Sequence, residues 1–155
     1  MKKTQIIAQS PELLPEFERI NKAWISKYFT IEKIDEEVLG NPQKNILDNG
    51  GKILFAQVGN AIVGTVALRK LSTGEFELTK MGVDESHQGQ GIGGLLIDAA
   101  IEKAKEMNID KLVLFSNRKL EAAISLYFKK GFLEVPVIPG KEYSRCNIKM
   151  EIKIK

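Results

Sequence analysis

Gln88-Gly89-Gln90-Gly91-Ile92-Gly93-Gly94 is the stretch on which the reading of the fold turns. It lies between an apolar segment of strand character, Glu75 to Asp84, and an amphipathic segment running to Asn108. A chain turning into a helix leaves its first four N–H groups without intrahelical partners, and in this loop they converge on one point. Glycines at 89, 91, 93 and 94 remove the side chains that would hold an anion away. The helix dipole adds roughly half a positive charge at the same place, so a pyrophosphate is the natural occupant.

Upstream of the loop the hydrophobic period is that of strands. Lys52 to Val58 and Ala61 to Arg69 are rich in Ile, Val, Leu, Phe and Ala and are separated by Gly59-Asn60, which predicts a β-hairpin. Ser72-Thr73-Gly74 is a turn and Glu75 to Asp84 a third strand, which completes an antiparallel meander. In that third strand Phe76 and Leu78 alternate, but the next apolar pair is Met81 and Val83, so the phase slips by one. A β-bulge near Thr79-Lys80 restores it, splays the strand from its next neighbour and leaves backbone groups unpaired in the gap. Further upstream, Leu13, Leu14, Phe17, Ile20, Trp24 and Tyr28 recur at helical spacing, and two or three helices are expected between Pro11 and Leu47, broken at Gly40-Asn41-Pro42.

Downstream, Gly91 to Asn108 carries Ile92, Leu95, Leu96, Ala99, Ala100, Ala104 and Met107 on one face of a helix. Lys111 to Phe115 is an unbroken apolar run, and the strand, helix, strand order implies a parallel crossover from the bulged strand. Leu120 to Lys130 is a second amphipathic helix, stopped by Gly131 at a C′ position. Phe132 to Ile138 and Asn147 to Ile154 are expected strands, joined by a polar loop around Pro139-Gly140-Lys141-Glu142. The predicted architecture is α/β, a mixed central sheet flanked by helices, forming a single domain over residues 1–155.

Composition narrows the function classes. The 23 basic and 20 acidic residues leave a net charge of +3, too small an excess to argue for nucleic acid and suited to a small anionic ligand. One cysteine, Cys146, and one histidine, His87, supply neither a disulfide nor a metal site of ordinary ligand type, so no metal is expected. The longest apolar run near the start, Ile6-Ile7-Ala8, is far short of a secretory or membrane segment, and a cytoplasmic protein with no membrane partner is the default expectation.

Glycine-rich loops between strand and helix also occur in P-loop and dinucleotide-binding proteins, but a P-loop ends in Lys followed by Ser or Thr, whereas Gly93-Gly94-Leu95 offers no cation. A dinucleotide loop usually follows a first strand; this one follows a meander. Gln88-x-x-Gly91-x-Gly93 after a bulged strand is similar to the acetyl-coenzyme A signature of the Gcn5-related N-acetyltransferase (GNAT) superfamily. Glu77-Leu78-Thr79-Lys80-Met81-Gly82-Val83 resembles that family's central strand. Asn117 with Leu120, Ala123, Leu126-Tyr127 and Gly131-Phe132 resembles its later segment, with Leu120 standing where many members carry Asn.

The resemblance implies acetyl-coenzyme A as acyl donor, held by Gln88, Gly89, Gln90, Gly91, Ile92, Gly93 and Gly94, with Met81, Gly82, Val83 and Asn117 along its thioester arm. The acceptor would be a primary amine of a small molecule or a protein, and the chain a monomer or a homodimer. An amine with a pKa near 10.4 is neutral in roughly 1 molecule in 2,500 at pH 7, so a base is needed, and Glu77 beside the bulge is the candidate. Tyr127, which the resemblance puts near the sulfur, is the candidate general acid. Exposed amides of Met81 or Val83 would polarise the thioester carbonyl. His87 and Cys146 read as non-catalytic. Trp24, Tyr28 and Phe29 read as core residues in a region that borders the acceptor pocket in the family. Arg118, Lys119, Lys129 and Lys130 form a basic run available to a 3′-phosphate. The rival class is a non-catalytic acyl-coenzyme A-binding module, and a nucleotide-binding protein using the same loop is a third reading.

Overall fold

A computed structural model describes residues 3–137 and 145–155. Seven strands form one sheet in the order β1-β2-β3-β4-β5-β7-β6. They are β1 (Thr4–Ala8), β2 (Lys52–Val58), β3 (Ala61–Lys70), β4 (Glu75–Val83), β5 (Lys111–Ser116), β6 (Leu133–Val135) and β7 (Ile148–Lys153). Every neighbouring pair is antiparallel except β4 and β5, which run parallel. The helices are α1 (Leu14–Tyr28), α2 (Lys33–Gly40), α3 (Ile92–Glu106) and α4 (Glu121–Lys129). The sheet and helices are the expected mixed α/β architecture.

The central strands read as continuous apolar runs because both of their faces are covered. On β2, Leu54 and Ala56 join Val66, Leu68, Phe76 and Leu78 in a core under α3 and α4. The alternate residues Ile53 and Phe55 join Phe17, Ile25, Val38 and Leu39 of α1 and α2 in a second core on the other face. Alternation along β4 therefore sorts its side chains between two chemically different sides of the sheet.

The phase slip in β4 is a bulge at the expected place. Thr65 faces Gly82 and Ala67 faces Thr79, so Lys80 and Met81 together stand opposite Val66. Lys80 sits at φ +53°, a left-handed conformation that a β-strand lysine adopts only under constraint. The pairing of β4 with β5 covers only Glu75, Glu77 and the residue between them, against Lys111 to Val113. Beyond that point β4 continues along β3 and β5 along β7, and the two strands diverge.

Three local expectations need correction. β1 lies outside the expected elements: its two isoleucines are adjacent instead of alternating, and the strand is created by pairing with β2. The helical region also breaks between Phe29 and Glu32, where Glu32 caps α2 by a reciprocal capping box with Asp35. The strand expected from Phe132 to Ile138 is the short edge strand Leu133–Val135; Ile138 and the polar loop from Pro139 to Glu142 lie outside the described residues.

Candidate active site

The divergence of β4 and β5 opens a cleft of about 840 Å³. Its lips are Leu78 to Val83 of β4 on one side and Leu114 to Asn117 on the other; one end is the glycine loop. Gly91 caps α3 at φ +80° and Gly89 lies at φ +78°, both in the left-handed region where glycine is unstrained. No side chain caps the helix, and its first backbone bond is Leu95 N–H to the Gly91 carbonyl, so the amides of Ile92, Gly93 and Gly94 have no helical acceptor. The Ile92 side chain is buried in the core under α3, which leaves its backbone as the part that faces the cleft.

The glycines divide into two jobs. A side chain at Gly89 or Gly91 would meet open space, so those positions are set by backbone conformation. A Cβ at Gly93 would come 3.2 Å from Leu126 Cδ2, and one at Gly94 3.5 Å from Lys130 Cε, so these two let α4 approach the loop. Lys130, paired with Asp98 at 2.9 Å, and Lys129 line the cleft beside them. Gln88 donates from Nε2 to the Val83 carbonyl at 3.1 Å and ties the loop to the end of β4. Gln90 does not line the cleft.

Asp84 N–H donates to the Val63 carbonyl. By strand alternation Gly82 also faces β3, and Met81 and Val83 direct their amides away from β3, into the divergence. Gly82 is in close contact with α1: a Cβ there would lie 2.6 Å from Trp24 Cδ1 and 3.0 Å from Ile20 Cγ2. Trp24 is fixed in turn, since its indole N–H donates to Asn21 Oδ1 at 2.8 Å and fully buried Asn21 donates to the Phe17 carbonyl at 2.9 Å.

Tyr127 is held by the way α4 ends. Gly131 at φ +106° lets its own N–H bond Phe128 and the Phe132 N–H bond the Tyr127 carbonyl, the double closure of a Schellman cap. The hydrophobic contact that accompanies such a cap is the edge-to-face pair of Tyr127 and Phe132, with centroids 5.9 Å apart. Tyr127 is buried yet lines the cleft, and its hydroxyl makes no hydrogen bond among the described residues. Burial pushes its pKa up to about 12, so it is a protonated donor at any ordinary pH.

Glu77 lies on the opposite face of the sheet from Tyr127, as its alternation with Phe76 and Leu78 requires. It is 1% exposed, takes two bonds from Arg69 at 3.0 and 2.8 Å, and is not on the cleft wall. Its charge is felt by Lys80 and Cys146, which are on that wall. Asn117 lines the cleft, with its amide engaged: Nδ2 donates to the Arg145 carbonyl at 2.6 Å and Oδ1 accepts from Lys119 N–H at 2.9 Å. The Cys146 thiol is raised by burial, which keeps it protonated and inert.

A buried charge cluster beneath the cleft has no sequence signature. Asp35, fully buried, accepts from Lys80 Nζ at 2.8 Å, from both terminal nitrogens of Arg145 at 2.9 and 2.8 Å, and from Glu32 N–H at 2.8 Å. Burial alone would raise its carboxyl, but the hydrogen bonds from Arg145 and Lys80 outweigh it and hold Asp35 well below the usual carboxylate range. Lys80 itself is lowered by burial, with the Asp35 charge opposing. The cluster joins α2, the bulge of β4 and the segment leading into β7.

The model of the Acetyltransferase (GNAT) family matches residues 13–132. This chain belongs to the GNAT family. Among its relatives, the "Uncharacterized N-acetyltransferase YvbK" of Bacillus subtilis is 33% identical over 104 residues, 65% of this chain and 67% of the relative. "N-acetyltransferase family 8 member 2" of Rattus norvegicus is 28% identical over 70% of this chain, and the match spans 50% of that longer protein. A GNAT acetyltransferase structure from Staphylococcus aureus Mu50 superposes with a TM-score of 0.88 at 27% identity, covering 99% of this chain and all (100%) of the other. The Salmonella typhimurium putative acetyltransferase yncA, solved with acetyl-CoA, shares the fold at a TM-score of 0.77 and 17% identity, covering 99% of this chain and 95% of its own.

Proposed function

We propose that this GNAT protein transfers the acetyl group of acetyl-coenzyme A to a primary amine of a small molecule or protein by direct attack. The observation that carries this reading is that the unpaired amides at the start of α3 and the unengaged Tyr127 hydroxyl open into one cleft between diverging strands. The bound cofactor of yncA supports the choice of donor. The residues present suit such a group: main-chain donors and Lys129 and Lys130 for a diphosphate, and an extended slot edged by strand amides for an amide-bearing arm.

Acetyl-coenzyme A, when bound, supplies an acyl group activated as a thioester. The amide of Met81 or Val83 polarises the carbonyl oxygen as negative charge develops there. The acceptor nitrogen forms a bond to the carbonyl carbon, the carbon–sulfur bond breaks, and the amine gives up one proton. Glu77 stands on the same sheet face as α1 and α2 and acts as base at one remove, through water, because its carboxylate is held off the wall by Arg69. Tyr127, on the other face, donates to the departing sulfur. With its pKa at about 12 it is a weaker acid than a thiol near 8.5, so complete proton transfer is uphill by on the order of 5 kcal/mol. Its contribution is therefore a hydrogen bond that strengthens as the thiolate forms.

The test is release of free thiol from acetyl-coenzyme A with a panel of amines. Tyr127→Phe is expected to fold normally, bind coenzyme A in calorimetry and lose about 10²-fold in kcat, the low end of what positioned proton donors contribute. Unchanged turnover in Tyr127→Phe refutes the assignment of that residue. Coenzyme A binding with no transfer to any amine supports the non-catalytic acyl-coenzyme A-binding module instead.

A further inference from the structure

The charge on the cleft wall is uneven. Among the described residues it carries Lys80, Lys119, Lys129, Lys130 and Arg145, but only two carboxylates, Asp98 and Glu121. Asp98 is taken by Lys130, and Glu121 is exposed at the start of α4. A diphosphate at the glycine loop accounts for Lys129 and Lys130, which lie beside Gly93 and Gly94 at the end of α4. It does not account for Lys119 or Arg145. Lys119 precedes the start of α4, and the nine residues of that helix span about 13 Å.

At that far end the wall is aromatic and cationic. The Phe29 ring, on the connection between α1 and α2, has Lys119 Nζ 4.4 Å and the Arg145 guanidinium 5.6 Å from its centroid. Trp24 and Tyr28 continue the apolar surface. Lys119 makes no ion pair among the described residues, whereas Arg145 pairs with Glu32 and Asp35, and Lys80 with Asp35, beneath. Among the described residues this end of the wall carries one carboxylate, the exposed Glu121, against its cations, fewer than a second ammonium group beside them would require. Two cations converging on one ring instead make a seat for an anion with an apolar body beside it.

Resting on the acetyl-transfer reading, we infer that the acceptor is a small primary amine that carries its own carboxylate, seated between Lys119 and Arg145 at Phe29. The arrangement also helps the chemistry. Positive charge near the acceptor disfavours its ammonium form and lowers the amine pKa, which increases the fraction of neutral nucleophile. The carboxylate recovers the binding that the cationic wall would deny to a bare amine.

The experiment compares phenylalanine, phenylalanine amide and spermidine as acceptors. Phenylalanine is expected to exceed the amide at least tenfold in kcat/KM, mainly through KM, with spermidine poorest. Lys119→Ala should shrink the acid-to-amide ratio at least fivefold and Lys119→Glu should invert it, while Lys105→Ala, exposed on α3 and off the cleft wall, should leave it unchanged. Preference for spermidine or the amide in the native protein, or an acid-to-amide ratio indifferent to Lys119, overturns the inference. If no amine is acetylated, the transfer reading fails and calorimetry on the coenzyme A-loaded protein decides. Binding of phenylalanine but not its amide, abolished in Lys119→Glu, sustains the carboxylate seat; equal binding or none overturns it.

Discussion

Replacing Asp35 with asparagine removes the one charge that four donors share. Lys80 then remains beneath the cleft facing an acceptor that does not match its charge, Arg145 keeps its pair with Glu32 at 2.8 Å, and the Glu32 end of the capping box is weakened. Breaking a buried ion pair from one side costs about 3–5 kcal/mol, and loss of a cap about 1 kcal/mol. A destabilisation of about 4 kcal/mol is expected, a large share of a typical domain's 5–15 kcal/mol, and it corresponds to a fall of roughly 12 °C in Tm for a chain of this length. Urea unfolding followed by circular dichroism measures it directly. Adding Lys80→Met should recover about half of the loss, because an apolar side chain needs no countercharge.

The pH dependence has a definite sign. Asp35 is held below the ordinary carboxylate range in the folded protein, so its contribution is fully present above the unfolded value near 3.9 and is lost as pH falls toward the folded one. The gap between native protein and variant should be level from about pH 5 to 8 and shrink below about pH 4. A loss under about 1 kcal/mol, or a Lys80→Met effect that merely adds to the first, refutes the account of a buried, mutually dependent cluster.

Gly82→Ala should destabilise by about 1–3 kcal/mol in the same assay, because its methyl would press on a Trp24 ring that Asn21 prevents from yielding. Spectrophotometric titration should show one of the three tyrosines ionising near pH 12, absent in Tyr127→Phe. Because burial raises that group above its unfolded value near 10, its contribution to stability is complete below about pH 10 and declines as pH rises toward 12.

The parts of the site legible in the sequence are those with a local cause. The bulge showed as a slip in a period of two, and it lies where Lys80 turns to φ +53°. The helix-start loop announced itself in glycines, and Gly131 announced the cap that fixes Tyr127. Alternation also requires that Glu77 face away from Phe76 and Leu78, hence away from α4. What could not be read is what distance in the chain hides. Asp35 meets Lys80 across 45 positions and Arg145 across 110, and no periodicity links them. β1 exists only because β2 offers it an edge.

The seam where β4 meets β5 is three residue pairs long, whereas β3 and β4 and β5 and β7 are each stitched over twice that length. The sheet is thus two well-sewn panels meeting at a short join. An extended molecule seated beyond the join, as the proposed acetyl-coenzyme A would be, would complete the stitching and brace the two panels. Amide exchange at the mouth of the divergence should slow when coenzyme A binds, while the ladders within each panel keep their own pace.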